Sequence, residues 1–141
     1  MIIIIIITII TIIININSLP LDLNGDFAES NLIEPLAVLA NAYATVGRLD
    51  EAVKRYKKAL AMAEKHVGPR HQSISSYLIN YATALIHLSK FDEAIKLAER
   101  GLNILQLNGI VNDPLIPAAH RAIEAGRKKI NKIVLKPDRE F

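Results

Sequence analysis

The stretch GRLDEA at residues 47–52 recurs as SKFDEA at residues 89–94, forty-two positions further along the chain. When residues 36–65 are aligned with residues 78–107, eight of the thirty positions are identical. A recurrence of this length in a fixed register is typical of proteins that stack copies of one supersecondary unit. The sequence therefore predicts two copies of a single structural element.

The repeated segments have the periodicity of α-helices. Their apolar residues recur at spacings of three and four positions, which places them on one face of a helix. No segment of the body shows the alternation of a β-strand, so five helices are predicted. The first starts at a capping box, Asn31 to Glu34, and ends at Gly47; the others are about Leu49–His66, Gln72–Leu88, Phe91–Leu107 and Pro114–Val134.

Small side chains mark the place where the two helices of each copy cross. Ala40 and Ala52 are twelve residues apart on consecutive helices, and Ala82 and Ala94 have the same separation. Two facing methyl groups allow the helix axes to approach, whereas larger side chains would overpack the crossing. An Asp-Glu pair in each copy is predicted to cap the second helix and to complement its positive end. Each copy is therefore predicted to be a helical hairpin.

The first copy has a specific pattern that the second follows more loosely. It reads L-x-x-L-A-x-x-Y-x-x-x-G-R-L-x-E-A-x-x-x-Y-x-x-A-L. The second helix extends beyond this pattern and is followed by G-P-x-H. The second copy departs from it at Leu85, Ser89, Ala98 and Gly101, and the helical glycine should cost about 1 kcal/mol. The matching residues of the first copy are Leu36, Leu39, Ala40, Tyr43, Gly47, Arg48, Leu49, Glu51, Ala52, Tyr56, Ala59, Leu60, Gly68, Pro69 and His71.

This pattern resembles that of tetratricopeptide repeats (TPRs), and within them the forty-two-residue kind typical of kinesin light chains. The resemblance implies an all-α fold, a right-handed α-solenoid of two TPR hairpins and a C-terminal capping helix, within a domain of residues 29–141. Repeat one would cover about 33–67, repeat two about 75–107 and the capping helix about 114–134. The capping helix is predicted to pack on repeat two through apolar residues, which are Ile116, Ala119, Ile123, Ile130 and Ile133.

Two repeats and a cap are fewer than the three repeats that such arrays usually need. Three interpretations follow: a fragment of a longer array, a minimal array, or a chain that associates with itself as a homo-oligomer. The sequence leaves all three open.

The first seventeen residues read MIIIIIITIITIIININ. They begin a low-complexity, isoleucine-rich N-terminal segment that is predicted to extend to about residue 28. An apolar run of roughly 15 residues is short for a membrane helix, which needs about 20. No Lys or Arg precedes it, which disfavours a secretory signal. Three interpretations remain: a low-complexity extension, a membrane-inserting or signal-like segment through residues 2–16, or a packed helix or strand.

Composition excludes several kinds of protein. The chain has no cysteine, so it has no disulfide framework and no thiolate metal site. Its net charge of +3 comes from residues 121–141, where seven basic and three acidic residues give +4. Because the rest is nearly neutral, a nucleic-acid partner is not expected. The composition is compatible with a cytoplasmic protein, and a membrane-associated one is the alternative.

No arrangement of residues predicts catalysis, a cofactor or a metal site. His66 and His71 are five residues apart across a Gly-Pro turn, and His87 and His120 are isolated, so the spacing does not indicate a metal ligand set. The paired acids have helix-capping roles, and no phosphate loop or nucleophile motif is present. We therefore expect a non-catalytic protein.

The resemblance implies an interaction module that binds a peptide or partner domain in its concave groove. In this family the groove is lined by the first helix of each hairpin, and asparagine amides there can hold an extended peptide by its backbone. The alternative for Asn41 and Asn80 is a solvated or hairpin-bridging amide. Ala37 replaces the lysine of the carboxylate-binding subgroup, which disfavours recognition of a C-terminal carboxylate. The predicted peptide-binding residues are Ala37, Asn41, Ala44, Thr45, Ile79, Asn80, Thr83, Ile86 and His87.

Two other functions remain as alternatives. One is a membrane-tethered adaptor anchored by the isoleucine-rich segment. The other is a protein that binds anionic lipid or nucleic acid through the basic C-terminal helix, around Arg127, Lys128, Lys129, Lys132 and Lys136.

Overall fold

A computed structural model describes the backbone of residues 1–17 and 30–135, and all of their side chains except those of residues 15–17. The predicted boundary at about residue 28, between the isoleucine-rich segment and the TPR domain, lies outside these residues. Within the described ranges every regular element is an α-helix, which confirms the all-α fold. The helices are α1 (Ile2–Asn17), α2 (Ile33–Thr45), α3 (Leu49–Val67), α4 (Ile74–His87), α5 (Phe91–Leu107) and α6 (Leu115–Val134).

The chain divides into two compact units, Met1–His71 and Gln72–Phe141. In the first unit α2 pairs with α3, and α1 packs on α2. In the second unit α4 pairs with α5, and α6 packs on both of them. Each predicted repeat is therefore a helical hairpin.

The small residues predicted at the helix crossings are fully buried. Ala40, Ala52, Ala82 and Ala94 each have 0% of their surface exposed. Alanine has the smallest side chain after glycine. Two helix backbones can therefore approach closely where buried alanines lie between them. The burial of all four residues is what the predicted close crossing requires.

The turn inside each hairpin has the same backbone conformation although its sequence differs. Gly47 has a φ angle of 80° and Ser89, at the equivalent position, has a φ angle of 61°. In each turn the next amide donates to the carbonyl five residues earlier over 2.9 Å, as in a Schellman motif. Ser89 is therefore a non-glycine residue in the left-handed region, where a Cβ atom is unfavourable.

The side-chain caps predicted for α3 and α5 are not formed. The N-cap residues of α2, α3 and α5 are Leu32, Arg48 and Lys90, and none makes a capping hydrogen bond with its side chain. The Asp-Glu pairs lie inside the first turn of α3 and α5, where Asp50 and Asp92 come two positions after the N-cap residue. Their charge still complements the positive end of each helix dipole.

Gly101 has a packing role that its helix propensity does not reveal. A Cβ atom on Gly101 would lie 2.9 Å from Cγ1 of Ile79 and 3.4 Å from Cβ of Leu78. The absence of a side chain lets Ile79 on α4 sink against α5, where it is 1% exposed. The equivalent residues of the first hairpin are Ala37 and Ala59, both buried. A large and a minimal side chain thus replace two small ones.

Helix α6 fits onto the second hairpin by a second close contact. A Cβ atom on Gly126 would lie 2.8 Å from Cγ1 of Ile95 and 3.2 Å from Cδ1 of Ile86. Earlier along α6, Ala119 belongs to a buried cluster with Ile79 and Leu105. Later residues of α6 therefore contact later residues of α4 and earlier residues of α5.

This direction explains which predicted contacts of α6 are formed. Ala119 and Ile123 are buried as predicted, and Ile116 and Ile130 are half-buried. Ile133 is 65% exposed, so its predicted packing is wrong. Seven residues after Gly126, the helix has passed the end of α4 at His87 and the start of α5 at Phe91.

We expect Ser89→Gly to stabilise the protein, because glycine adopts the left-handed conformation without the Cβ penalty. The expected gain in free energy of unfolding is about 0.5–1 kcal/mol, measured by urea unfolding. Gly47→Ser is the matched control and should cost a similar amount, since no atom lies within 4 Å of a Cβ built at Gly47. A loss of stability in Ser89→Gly would contradict the equivalence of the two turns.

The contact between Gly101 and Ile79 predicts a change of sign in a double-mutant cycle. Gly101→Ala gains about 1 kcal/mol of helix propensity but should lose about 1–3 kcal/mol by overpacking against Ile79. In the background of Ile79→Ala the same substitution should become stabilising, because the clash is gone. Thermal and urea unfolding of the four proteins would measure this, and equal effects in both backgrounds would refute it.

Candidate partner-binding surfaces

The predicted binding residues of the first unit differ in exposure. Asn41 and Thr45 are exposed and Ala44 is half-exposed. Ala37 is only 5% exposed, so its side chain is part of the core and does not present a binding surface. The hydroxyl of Thr45 donates to the carbonyl of Asn41 over 2.9 Å, which leaves its methyl group as the outward feature.

Asn41 is held by a hydrogen bond within its own hairpin. The hydroxyl of Tyr56, which is 3% exposed, donates to Oδ1 of Asn41. This bond is the hairpin-bridging arrangement that the sequence analysis gave as the alternative to a peptide-binding role for Asn41. The bond fixes the orientation of the amide and uses its oxygen as the acceptor. The donor atom Nδ2 is not engaged by this bond, and the Asn41 side chain is exposed.

Two arginine side chains lie against the ring of Tyr43 at the turn end of the same hairpin. The guanidinium groups of Arg48 and Arg55 lie 4.9 Å and 5.5 Å from the centroid of the Tyr43 ring. Nη1 of Arg55 also lies 3.3 Å from Oε2 of Glu51. Cation–π and ionic contacts therefore tie the turn to α3.

In the second unit the structure corrects one predicted binding residue. Ile79 is 1% exposed and belongs to the core cluster with Leu105 and Ala119. The reason is Gly101, which leaves room for the isoleucine against α5. Ile79 therefore does not contribute a binding surface.

The other predicted residues of α4 remain accessible. Thr83 and His87 are exposed, and Asn80 and Ile86 are half-buried. The hydroxyl of Thr83 donates to the carbonyl of Ile79 over 3.0 Å.

The predicted residues Ile86 and His87 line a cleft of about 800 Å³ in the second unit. The cleft is bounded by the end of α4, the turn to α5 and the last turns of α6. Its other lining residues are Ser89, Phe91, Lys129, Lys132 and Ile133.

The cleft combines apolar surface with positive charge. No acidic residue lines it. Among the described residues neither Lys129 nor Lys132 forms an ion pair. An opposing carboxylate would therefore find two ammonium groups beside an apolar floor.

Sequence reasoning did not connect the two lysines with the predicted binding residues. It treated the basic residues of α6 as a separate charged segment. The available signal was the repeat itself: one further period of forty-two residues relates His87 to Lys129.

A smaller cleft of about 450 Å³ adjoins the first on the far side of Phe91 and Ile133. It is lined in addition by Lys90, Asp92 and Glu93, so it contains charges of both signs. Oε1 of Glu93 also accepts a hydrogen bond from the hydroxyl of Tyr81 over 3.2 Å. The larger cleft is therefore lined by positive charge alone, whereas the smaller one is mixed.

The basic residues of α6 have different roles. Nη2 of Arg127 lies 2.8 Å from Oε1 of Glu99, an exposed ion pair between α6 and α5. Such a pair is worth about 0.2–1 kcal/mol. Lys128 lines another surface with His120 and Glu124. The positive charge is thus divided among several faces.

Two further features bear on the function. Within residues 1–17 and 30–135 no group of three or more His, Asp or Glu side chains is placed to hold a metal ion. None of the helices described is both long enough and apolar enough to cross a membrane.

Two buried tyrosines predict the behaviour of the protein at high pH. Burial raises the pKa of Tyr56 from 10.0 to about 12. Burial, followed by the charge of Glu93 and its hydrogen bond, raises the pKa of Tyr81 to about 12. Because both hydroxyls ionise more readily in the unfolded chain, stability present below pH 10 should be lost as the pH rises towards 12.

We expect Tyr56→Phe to reduce this pH dependence. At neutral pH the variant should lose about 1 kcal/mol, since the bond to Asn41 is gone. Its free energy of unfolding should then fall less steeply than that of the wild type between pH 10 and 12. Urea unfolding across this range is the measurement, and parallel curves would contradict the role given to Tyr56.

The sequence was compared with protein families and with curated proteins. The family profile described as tetratricopeptide repeat matches residues 32–106, more than half of the chain. The comparison with curated proteins gave no match. The matched range contains both hairpins, with their buried alanines and equivalent turns. The chain therefore belongs to the tetratricopeptide repeat family, whose members are in general non-catalytic modules for protein–protein interaction.

Proposed function

We propose that this protein is a non-catalytic adaptor that binds a segment of a partner protein in the cleft of its second unit. The segment would carry an acidic side chain next to an apolar one. The observation that supports this most strongly is the lining of the cleft, where Lys129 and Lys132 lie beside Phe91 and Ile133.

The charged part of the cleft would provide selection and orientation. Lys129 and Lys132 are exposed, and the described residues offer them no counter-ion. A carboxylate that approaches them gains attraction without displacing an existing ion pair. Charges of this kind act mainly on the rate of association and on the choice of partner.

The apolar part would provide affinity. Phe91 and Ile86 are half-buried, so each keeps part of its apolar surface exposed, and Ile133 is 65% exposed. An apolar side chain of the partner would cover these three residues and remove apolar surface from water on both sides. Such burial contributes about 25 cal/mol per Å² before the cost of association is subtracted.

Polar side chains on α4 and α2 extend the proposal to the peptide backbone. Asn80 is half-buried on α4, about two turns before Ile86 and His87, which line the cleft. In the first unit Asn41, Ala44 and Thr45 form a separate accessible face, with the Asn41 amide oriented by Tyr56. Amides held in this way can donate to the carbonyls of an extended peptide.

We also propose that the repeats are of the forty-two-residue kind that resembles kinesin light chains. Helices α3 and α5 begin forty-two residues apart, at Leu49 and Phe91, and their turns have the same hydrogen bonds. These spacings support the finer classification.

Binding of anionic lipid or nucleic acid through α6 is the main competing function. Such binding needs a continuous basic stripe, because each phosphate contact contributes separately. On α6 Arg127 is paired with Glu99, and Lys128 lies beside Glu124. This division of charge favours recognition of a protein segment. The membrane-tethered adaptor stays a prediction.

Fluorescence anisotropy with designed peptides tests the proposal. The probes are three labelled decapeptides with the same leucine anchor, flanked by glutamates, by lysines or by glutamines. We expect the full-length chain to bind the acidic peptide most tightly. Lys129→Glu with Lys132→Glu should weaken that binding about tenfold or more, since two attractive charges become repulsive. Lys57→Glu with Lys58→Glu on the exposed surface of α3 is the matched control and should have no effect.

Three results would contradict the proposal. The first is equal affinity for the three peptides, and the second is equal loss in the cleft and control variants. The third is binding of polyuridine RNA or of phosphatidylserine vesicles more tightly than the acidic peptide, with loss in Lys128→Glu, which would support the anionic-surface alternative instead.

A further inference from the structure

We infer that residues 136–141 of this chain are a ligand of the larger cleft in the second unit and compete there with the partner segment. The inference rests on the proposed function, because it assigns a regulator to the same cleft. The segment reads KPDREF and lies outside the described residues. It places an acidic side chain, Glu140, next to an apolar one, Phe141. This is the combination proposed for the partner.

The segment follows directly on residues that line the cleft. Helix α6 ends at Val134, and Lys132 and Ile133 in its last turn belong to the cleft lining. At 1.5 Å per residue, Lys129 lies about 8 Å back along the helix from Val134. Residues 136–140 in an extended conformation would span up to about 17 Å. The segment is therefore long enough to reverse direction and reach both lysines.

Pro137 favours this reversal. Proline lacks the amide hydrogen that would continue the helix, and it disfavours the helical conformation for the residue before it, Lys136. The helix ends with Val134 and its C-cap residue Leu135, directly before these two positions. We therefore expect the chain to leave the axis of α6 at the edge of the cleft.

The acidic side chains of the segment complement the larger cleft. Alternate residues of an extended segment point to the same side and lie about 7 Å apart, which would bring Asp138 and Glu140 to one side. Lys132 and Lys129 are separated by about 4.5 Å along α6. Both lysines are exposed, and neither forms an ion pair among the described residues. Two charge pairs can therefore form together.

The basic side chain between these acids complements the smaller cleft. In an extended segment Arg139 would point away from its two acidic neighbours. The smaller cleft is lined by Asp92 and Glu93 and by a single basic residue, Lys90, so negative charge predominates there. The alternation of charge in residues 138–140 therefore matches the difference between the two clefts.

A tethered ligand of this kind needs little affinity of its own. A short tether gives an effective concentration of about 1 mM. If the segment alone bound with a Kd of about 0.5 mM, it would raise the apparent Kd of a partner about threefold. The segment would thus set a threshold that weak ligands do not pass.

Replacing residues 136–141 with an alternating Gly-Ser sequence of the same length tests the competition. The segment has two basic and two acidic side chains, so the net charge stays at +3 and general electrostatic attraction is unchanged. In fluorescence anisotropy, the labelled acidic decapeptide should bind this variant about three- to tenfold more tightly than the wild type. The gain should disappear when both proteins also carry Lys129→Glu and Lys132→Glu.

A cysteine pair tests the contact without any peptide. The chain contains no cysteine, so only introduced ones react. Glu140→Cys with Lys129→Cys should form a disulfide within one chain on mild oxidation. The matched control is Glu140→Cys with Lys128→Cys, because Lys128 adjoins Lys129 but lines another surface. It should cross-link about tenfold more slowly, as followed by mass spectrometry.

The outcomes separate this inference from the proposed function. Unchanged affinity in the Gly-Ser variant, with peptide binding that still requires the two lysines, would overturn the inference and leave the proposed function intact. Absence of peptide binding to every variant would contradict the proposed function, whereas cross-linking of the Lys129 pair alone would still support the segment in the cleft. Equal cross-linking of both pairs, or disulfides only between chains, would overturn the inference.

Discussion

The close approach of paired helices at small side chains is the constraint on which both units depend. Four alanines at the predicted crossings have no exposed surface. Gly101 and Gly126 extend the same principle, since a Cβ atom at either would come within 3 Å of an isoleucine side chain. When backbones lie this close, the position of each helix is fixed by a few atoms, and the size of one residue decides how its neighbour is placed.

The exchange of sizes between the two hairpins shows how this constraint reaches the surface. In the first hairpin Ala37 and Ala59 are both buried, whereas in the second their places are taken by Ile79 and Gly101. The pair of side chains has more carbon atoms in the second hairpin, and all of them lie on its first helix. Because glycine accepts it, this isoleucine becomes part of the core and leaves the accessible face to Thr83 and His87.

The elements that the sequence predicted correctly are those determined by local pattern. The start of α5 at Phe91 and its end at Leu107 follow from periodicity and from the turns that flank it. Periodicity could not predict that Ile79 is buried, because this depends on a missing side chain on a neighbouring helix. The cleft was missed for a related reason: its lysines come from α6, which departs from the repeat, and only the packing around Gly126 places them beside His87.

The repeat therefore supplies the scaffold, and departures from the repeat supply the chemistry. Residues that recur, such as Ala40 and Ala82, are buried and hold helices together. The lysines of the cleft come from α6, which lies outside the two hairpins, and they are on accessible surface. Among the described residues most of the large exposed apolar side chains lie on α1 and at the end of α6, outside the two hairpins. Exposed apolar surface of this kind is typical of interaction sites.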